Sequence, residues 1–474
     1  VKYTDLIEVD LGKLAAATAT WKQAVTDLQE LADDARDGLK AKSDTARWAG
    51  VNATVTRGFV TKTAKEIADL HQEAKSIWSV LDDAHTELEA LQRRAKSLTE
   101  EAGRKGLIVV GAADGGIKVM EAQCDADGTG QKTKDLMQWY ADTLASVVSH
   151  ATEVDAALTR ALRASHGGDP HNAGHATYTS LDGDMYPRAE KLAALGEDAD
   201  ARQSAELRRL WASLSPEARA RLWAAHRDDL LAAGLLDPQA KRVASDDGAG
   251  EFGIEDAGAA EYWIQAQAVA MANAGDFIGN TDAARHMDHY LNGTGDPLDL
   301  DVDRMLTDDE ALRLASREAV FNHQDEWRSQ ALEAYEKSGG KPVAIPVETP
   351  PRGYTHSDRN WYLAIGSGMT NTTGTVTVVP GPDGKPKVSL DCQVNVWDRY
   401  NWDPGKKTPI GPTEVTDADM ARLHTTGLAR EFDMRGSGSV QRYEWGEMSG
   451  QLPDAKDPGR DGTRTDIGRN GDAR

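Results

Sequence analysis

From Leu11 to Leu39 the apolar positions Leu11, Leu14, Trp21, Val25, Leu28, Ala32, Ala35 and Leu39 recur at steps of three and four. That spacing predicts an α-helix with one apolar stripe. A polar break at 43–50 interrupts it. Val51, Val55, Phe59, Ile67, Leu70, Ala74, Ile77, Leu81, Leu88, Leu91 and Leu98 then resume the helical step. At ~1.5 Å per residue, about fifty helical residues make a rod of roughly 75 Å, which can bury its stripe only against other helices. Residues 106–121 change character: Leu107 to Val110, the turn signal Asp114-Gly115-Gly116, and alternating Ile117 and Val119 predict a β-hairpin. Thr133 or Asp135 can then cap a helix carrying Met137, Tyr140, Leu144, Val147, Ala151, Val154, Leu158 and Leu162 at helical spacing.

Beyond this head, residues 166–183 lack periodicity and read as a linker; its His166, His171 and His175 match no standard metal-ligand spacing. Ser215-Pro216-Glu217 opens a helix with Leu222 and Trp223 on its core side. Leu298, Leu300 and Val302 alternate with Asp299, Asp301 and Asp303 as in a strand, and the capping box Thr307 to Glu310 starts another helix. Pro342, Pro346, Pro350 and Pro351 predict a semi-rigid linker. Alternating 375–379 and 387–396, joined across Asp383-Gly384, predict a second hairpin. Thr416 can cap a helix that Gly427 ends.

The fold class is therefore multidomain, with an all-α helical hairpin or bundle carrying a small β-hairpin (1–165), a linker (166–185), a mostly α middle region (186–338), a Pro-rich linker (339–357), an α+β C-terminal domain (358–450) and a disordered tail (451–474).

Composition narrows the partners. The 474 residues carry a formal net charge of −23, and the sequence shows no basic block, which argues against nucleic acid or an acidic membrane as partner. The first twelve residues hold no apolar signal segment, and no 18-residue apolar run predicts a membrane-spanning helix. Cys124 and Cys392 fall in different domains and predict free thiols. Asp125 to Gly130 begins like a calcium loop, but Leu136 stands where the bidentate Glu belongs.

Arg47-Trp48-Ala49-Gly50, lying between two amphipathic rods, resembles the Trp-x-Gly helical hairpin of actinobacterial type VII (ESX-like) secretion substrates over roughly the first 100 residues. In that family's terms Gly50 allows the tight reversal and Trp48 packs against both helices. Tyr186 to Glu190 fits the associated Tyr-x-x-x-Asp/Glu signal, with Pro187 a departure from its helical setting. The segment from Leu210 to His226 is similar to a helical segment of actinobacterial Trp-x-Gly-headed proteins, some of them α/β-hydrolases, but no Gly-x-Ser-x-Gly elbow is present. The layout resembles a polymorphic toxin. That resemblance implies export without a signal peptide from a cytoplasmic origin, a small helical secretion partner or the export machinery, and an immunity protein; it names no cofactor.

The chemistry is sought in the C-terminal domain. Val388, Leu390, Cys392, Val394 and Val396 share one face of a strand, and Asp398 and Tyr400 continue it. An inward carboxylate needs a partner or a raised pKa. His424, four residues from Met420 on the next helix, is one candidate; Arg399 and Arg422 are others. One reading is an acid/base or metal-assisted hydrolytic site of Asp398, Tyr400, Asp403 and His424, with no metal ligands assigned. The other is a structured turn from Asp398 to Asp403 with Trp397 and Trp402 as core. Asp398-Arg-Tyr-Asn401 is also similar to the Asp-x-Tyr-Asp stretch of the colicin M family, with Asn401 in place of the second Asp and no His-Arg pair in the next ten residues. His286 and His289 lack the spacing of a zinc helix.

Overall fold

The computed structural model describes residues 1–112, 115–122, 131–165, 177–238, 248–402 and 415–445. Its contacts divide the chain into two compact units, 1–130 with 136–235, and 236–474 with 131–135. The boundary falls near residue 235, inside the segment that the sequence groups as one middle region.

In the first unit a short α1 (Tyr3–Glu8) precedes α2 (Gly12–Asp33), which runs through a π-helical turn at Asp34–Lys40 into α3 (Ala41–Thr45). After the elbow comes α4 (Val51–Arg104), and α2 packs back against it. The hairpin of the two rods is thus present. Its seam differs from the expected stripe: the first turns of α4 bury Ala53, Val60 and Ala64 and leave Val51, Val55 and Phe59 exposed. Small side chains let two backbones approach closely, and the larger ones are displaced to the other face. Further along, Ala74, Ile77, Val80, Leu81, Ala84, Leu91, Ala95 and Leu98 are buried as the spacing requires.

Strands β1 (Leu107–Gly111) and β2 (Ile117–Glu121) form the predicted antiparallel hairpin. The following α5 (Gln131–Ser165) buries Tyr140, Leu144, Val147, Ala151 and Val154. The first unit is completed by α6 (Asp182–Ala193), α7 (Ala201–Ser213) and α8 (Pro216–Ala232). Ser215 caps α8 by accepting from the Ala218 N–H at 3.1 Å, as its sequence implies. α6 runs through Pro187, so Tyr186 and Glu190 do lie on a helix, and the Tyr186 ring is buried beneath the Arg221 guanidinium. Arg188 ties α6 to Glu153 at 2.6 Å and Glu206 at 2.8 Å.

The second unit starts with α9 (Ala259–Phe277) and α10 (Thr281–Leu291). The predicted strand at 298–303 shortens to β3 (Leu298–Asp299), because Asp301 accepts from the Arg304 N–H and starts α11 (Val302–Asp308). The cap of α12 (Glu310–Lys337) is Asp309 rather than Thr307, which lies within α11. The Pro-rich stretch is not a linker: β4 (Val343–Glu348) and β5 (Arg352–Thr355) are strands of the main sheet. β4 tolerates Pro346 because it pairs on one side only, with β6 (Ser367–Pro380). Between them lies α13 (Arg359–Ala364). The predicted second hairpin is longer than its alternation suggested, with β6 pairing β7 (Pro386–Tyr400) from Met369↔Trp397 to Pro380↔Pro386. Then follow α14 (Asp417–Thr425), capped by Thr416, β8 (Phe432–Ser437) and β9 (Gln441–Glu444). The sheet order is β3-β8-β7-β6-β4, with β5 on β6 and β9 on β7. The fold class is as the sequence indicated: helical head, mostly helical middle and α+β end. No helix among the described residues is long and apolar enough to cross a membrane. Cys124, the calcium-like loop from Asp125 to Gly130, the three linker histidines and the tail lie outside the described residues.

At the elbow Gly50 has φ 99° and ψ 178°, a combination accessible in practice only to glycine. Nothing lies within 4 Å of where a Cβ would sit, so the demand comes from the backbone alone. Gly50→Ala is expected to lower stability by about 1–3 kcal/mol, read from urea unfolding followed by helical circular dichroism. An unchanged midpoint would mean that the elbow adopts another conformation at no cost.

Candidate functional site

Strand β7 runs unbroken to Tyr400, so Val396, Asp398 and Tyr400 share the face that packs under the helices, as the alternation required. Asp398 is half-buried and lies opposite Met434 on β8. Tyr354, on β5, sits opposite Gly368 of β6; a Cβ there would lie 3.6 Å from the Tyr354 hydroxyl. The phenol is held neutral, its pKa well above the ordinary value, by burial and then by the negative charges of Asp309 and Asp398.

Behind Tyr354 lies a chain of polar groups that the sequence did not single out. Its hydroxyl is 3.0 Å from His356 Nε2, and His356 Nδ1 is 3.4 Å from the Asp309 carboxylate. A carboxylate cannot donate, so the consistent arrangement places the proton on Nδ1 and makes Nε2 the acceptor of the Tyr354 O–H. Asp309 is fully buried and also accepts from the N–H groups of Leu312, Ser357 and Asp358, each at 2.7 Å. Those bonds, together with the neighbouring imidazole, outweigh desolvation and hold its carboxyl below the usual range. Burial dominates at His356 and lowers its pKa. The result is a neutral Tyr354–His356 pair beside an ionised carboxylate, which His356 Nδ1 faces at 3.4 Å without hydrogen-bond geometry, with Asp398 close enough to be felt electrostatically.

Of the four residues expected to form the site, the structure gives three distinct surroundings. Tyr400 is buried in aromatic packing, stacked on Phe432 at 4.9 Å and edge-on to Trp402 at 5.8 Å, with its hydroxyl 3.9 Å from Met287 Sδ. Burial raises its pKa, so it stays a neutral core phenol. His424 accepts from the Glu431 N–H at Nδ1 (3.2 Å), which leaves Nε2–H to donate to the Gly250 carbonyl at 3.1 Å. Both ring nitrogens are occupied by backbone. The two arginines offered as partners serve elsewhere, Arg399 on Glu431 at 3.2 Å and Arg422 on Glu261. Asp403 lies outside the described residues.

His286 and His289 diverge. His289 Nε2 bonds the Asp296 carbonyl at 2.8 Å. His286 is 1 % exposed, donates from Nδ1 to the Asp282 carbonyl at 2.6 Å, and leaves Nε2 without a hydrogen-bond partner among the described residues.

The opposite face of β6 and β7 carries Asn371, Thr373, Thr375, Thr377, Asp391, Gln393 and Asn395, all buried. Asn395 is saturated: its amide donates to Asn371 and Thr373, each at 3.0 Å, and its carbonyl accepts from Gln393 at 3.1 Å and Ser437 at 2.7 Å. Thr373 and Gln393 also hold the Leu236 carbonyl. Alternation alone reads such a face as solvated. Cys392, on the apolar face, is an inert thiol, pushed up to about 12 by burial.

At the other end of the chain the elbow presents Trp48. The expected packing of its indole against both rods is not seen; it is 53 % exposed. The reversal is held instead by Arg57, whose guanidinium donates to the carbonyls of Ser43 at 3.2 Å, Ala46 at 2.7 Å and Trp48 at 3.2 Å. Comparison with protein-family models, curated proteins and solved structures finds no match to this chain.

Proposed function

We propose that the chain is an exported effector of the type VII kind, whose helical hairpin is read by the export machinery or a small helical partner and whose C-terminal α+β unit acts after export. The observation that carries this reading is the elbow: Trp48 points outward beside Gly50 in a glycine-only conformation, and Arg57 spends its donors fixing that turn. An indole that contributes little to the hairpin's own core is suited to recognition by another molecule. A blot of culture fractions tests it. Export is expected to require the secretion ATPase and to fail with Trp48→Ala; equal release of both forms with and without the ATPase would sink the reading.

For the effector, the reading centres on Asp398 as the acid/base group, with Tyr354 as a neutral hydroxyl within its electrostatic reach. An immunity protein is the partner such an activity implies. The second reading, a non-enzymatic interaction or scaffold protein, draws support from Tyr400 and His424, whose polar atoms are engaged in packing and backbone contacts. Because β4, β5 and α12 belong to the same sheet unit as Asp398, the test uses the full chain. Induced expression in a susceptible cell is expected to be toxic, and Asp398→Asn to relieve it; no toxicity, or equal toxicity of both forms, favours the scaffold reading.

A further inference from the structure

The elbow end of the hairpin combines exposed apolar side chains with local positive charge. Val51, Val55 and Phe59 are spaced by four on one face of α4 and are 80 %, 65 % and 69 % exposed, with Trp48 beside them in the chain. Between residues 38 and 65 stand Lys40, Lys42, Arg47, Arg57, Lys62 and Lys65 against the single carboxylate of Asp44. Lys42, Arg47, Lys62 and Lys65 are themselves exposed. Over this span a chain of net charge −23 is locally basic. The sequence concealed it because the six cations are dispersed over two helices and only the reversal at Gly50 brings them to one end.

We infer that this end of the hairpin docks onto an anionic bilayer surface, inserting Trp48, Val55 and Phe59 at the headgroup level while the surrounding lysines and arginines meet the lipid charge. Aromatic and aliphatic side chains ringed by cations are the composition of interfacial membrane binders. The acidity of the remaining chain does not forbid it. At physiological salt the screening length is about 8 Å, so the bilayer responds to the charges at the tip. Lys40 is ion-paired with Asp44 at 2.7 Å and Lys62 with Glu66 at 3.7 Å, and Arg57 is spent on the elbow carbonyls, which leaves Lys42, Arg47 and Lys65 as the cations that meet the lipid charge. A protein partner would need an acidic groove deep enough for a convex tip, whereas a fluid bilayer conforms to one.

The contrast within the same molecule is instructive. Tyr262 and Trp263 on α9 are also exposed, at 57 % and 66 %, but their neighbours in the chain include the exposed Glu251, Glu255 and Asp256. An anionic surface repels that patch. It supplies an internal control.

The inference goes beyond export and is tested without any secretion machinery, so it stands or falls apart from the proposal above. Purified full-length protein is sedimented with vesicles of phosphatidylcholine alone or containing phosphatidylglycerol. Binding is expected only with the anionic lipid and is expected to be released by high salt. Val55→Ser with Phe59→Ser, and separately Arg47→Glu with Lys65→Glu, should each weaken it by about tenfold or more. Trp263→Ser should bind as the unaltered chain does. All these positions are exposed, and unchanged helical circular dichroism confirms that each variant is folded. No binding to the anionic vesicles, equal binding to neutral ones, or loss through Trp263→Ser with the elbow variants unaffected would each overturn the inference; the first of these leaves a protein partner as occupant.

Discussion

Trp361→Ala is expected to destabilise the C-terminal unit by about 3–5 kcal/mol, the range for removing a large aromatic from a packed core. Trp361 is 1 % exposed and lies on the short helix α13. Its ring stacks on His356 at 6.3 Å, meets His286 edge-on at 6.5 Å and carries the Arg304 guanidinium at 5.6 Å. Its indole N–H donates to Asp308 at 3.3 Å. Deleting the ring leaves a cavity and removes the wall that keeps His356 against Tyr354. Trp361→Phe retains most of the packing and loses the hydrogen bond, so a loss of about 1 kcal/mol is expected for that step. Urea unfolding followed by near-ultraviolet circular dichroism measures both. An Ala variant within 1 kcal/mol of the parent would show that the site collapses around the gap and that α13 does not organise it.

Acid is expected to weaken this unit between pH 6.5 and 4. Burial pushes the His286 imidazole from 6.5 down to about 4, and its bond to the Asp282 carbonyl only partly opposes that. In this interval the unfolded chain binds a proton that the folded one refuses. Stability therefore rises with pH, is fully present above the unfolded value and is lost as pH falls towards the folded one. The shift corresponds to about 3 kcal/mol in full, of which about 2 kcal/mol is gone by pH 5. His356, lowered by burial, adds in the same direction. Asp309 joins at lower pH, because its carboxyl is held below the ordinary range and stabilises only while ionised.

The helical unit contains opposing groups. His150 is likewise lowered to about 4 by burial, but desolvation raises Asp83 and Glu87, whose protonation favours the folded state as pH falls. The measurement is the change in urea midpoint of the C-terminal unit's transition between pH 7.5 and 5, compared between the parent and His286→Gln. The variant should lose less stability on acidification; parallel slopes would remove His286 from the account.

Much of the architecture is written in local periodicity. The stripe of α2 and α4, the turn signals of both hairpins, the Ser215-Pro216 start of α8 and the Thr416 cap each place an element, because hydrogen bonding within a few residues decides them. The inward parity of Asp398 and Tyr400 was legible for the same reason, since a strand repeats every two residues. Asp301 and Pro346 mark where such rules compete: a side-chain cap ended one strand early, and an edge position admitted a proline into another.

Which surfaces meet is a different question, and spacing does not answer it. Tyr354, His356 and Asp309 come from β5, the following loop and the cap of α12, and nothing in their local sequence shows that they align. His424 carried the right parity to face the core, yet its two nitrogens were claimed by backbone groups distant in sequence. The Thr- and Asn-rich face of β6 and β7 is polar by pattern and buried in fact, because a hydrogen-bond network completes every valence of Asn395. At the elbow the stripe gave the helices, but only packing decided that alanines line the seam and that Trp48, Val55 and Phe59 are left outside. Local bonding fixes what each segment becomes; burial and charge are properties of surfaces brought together, and they exist only once the chain has folded.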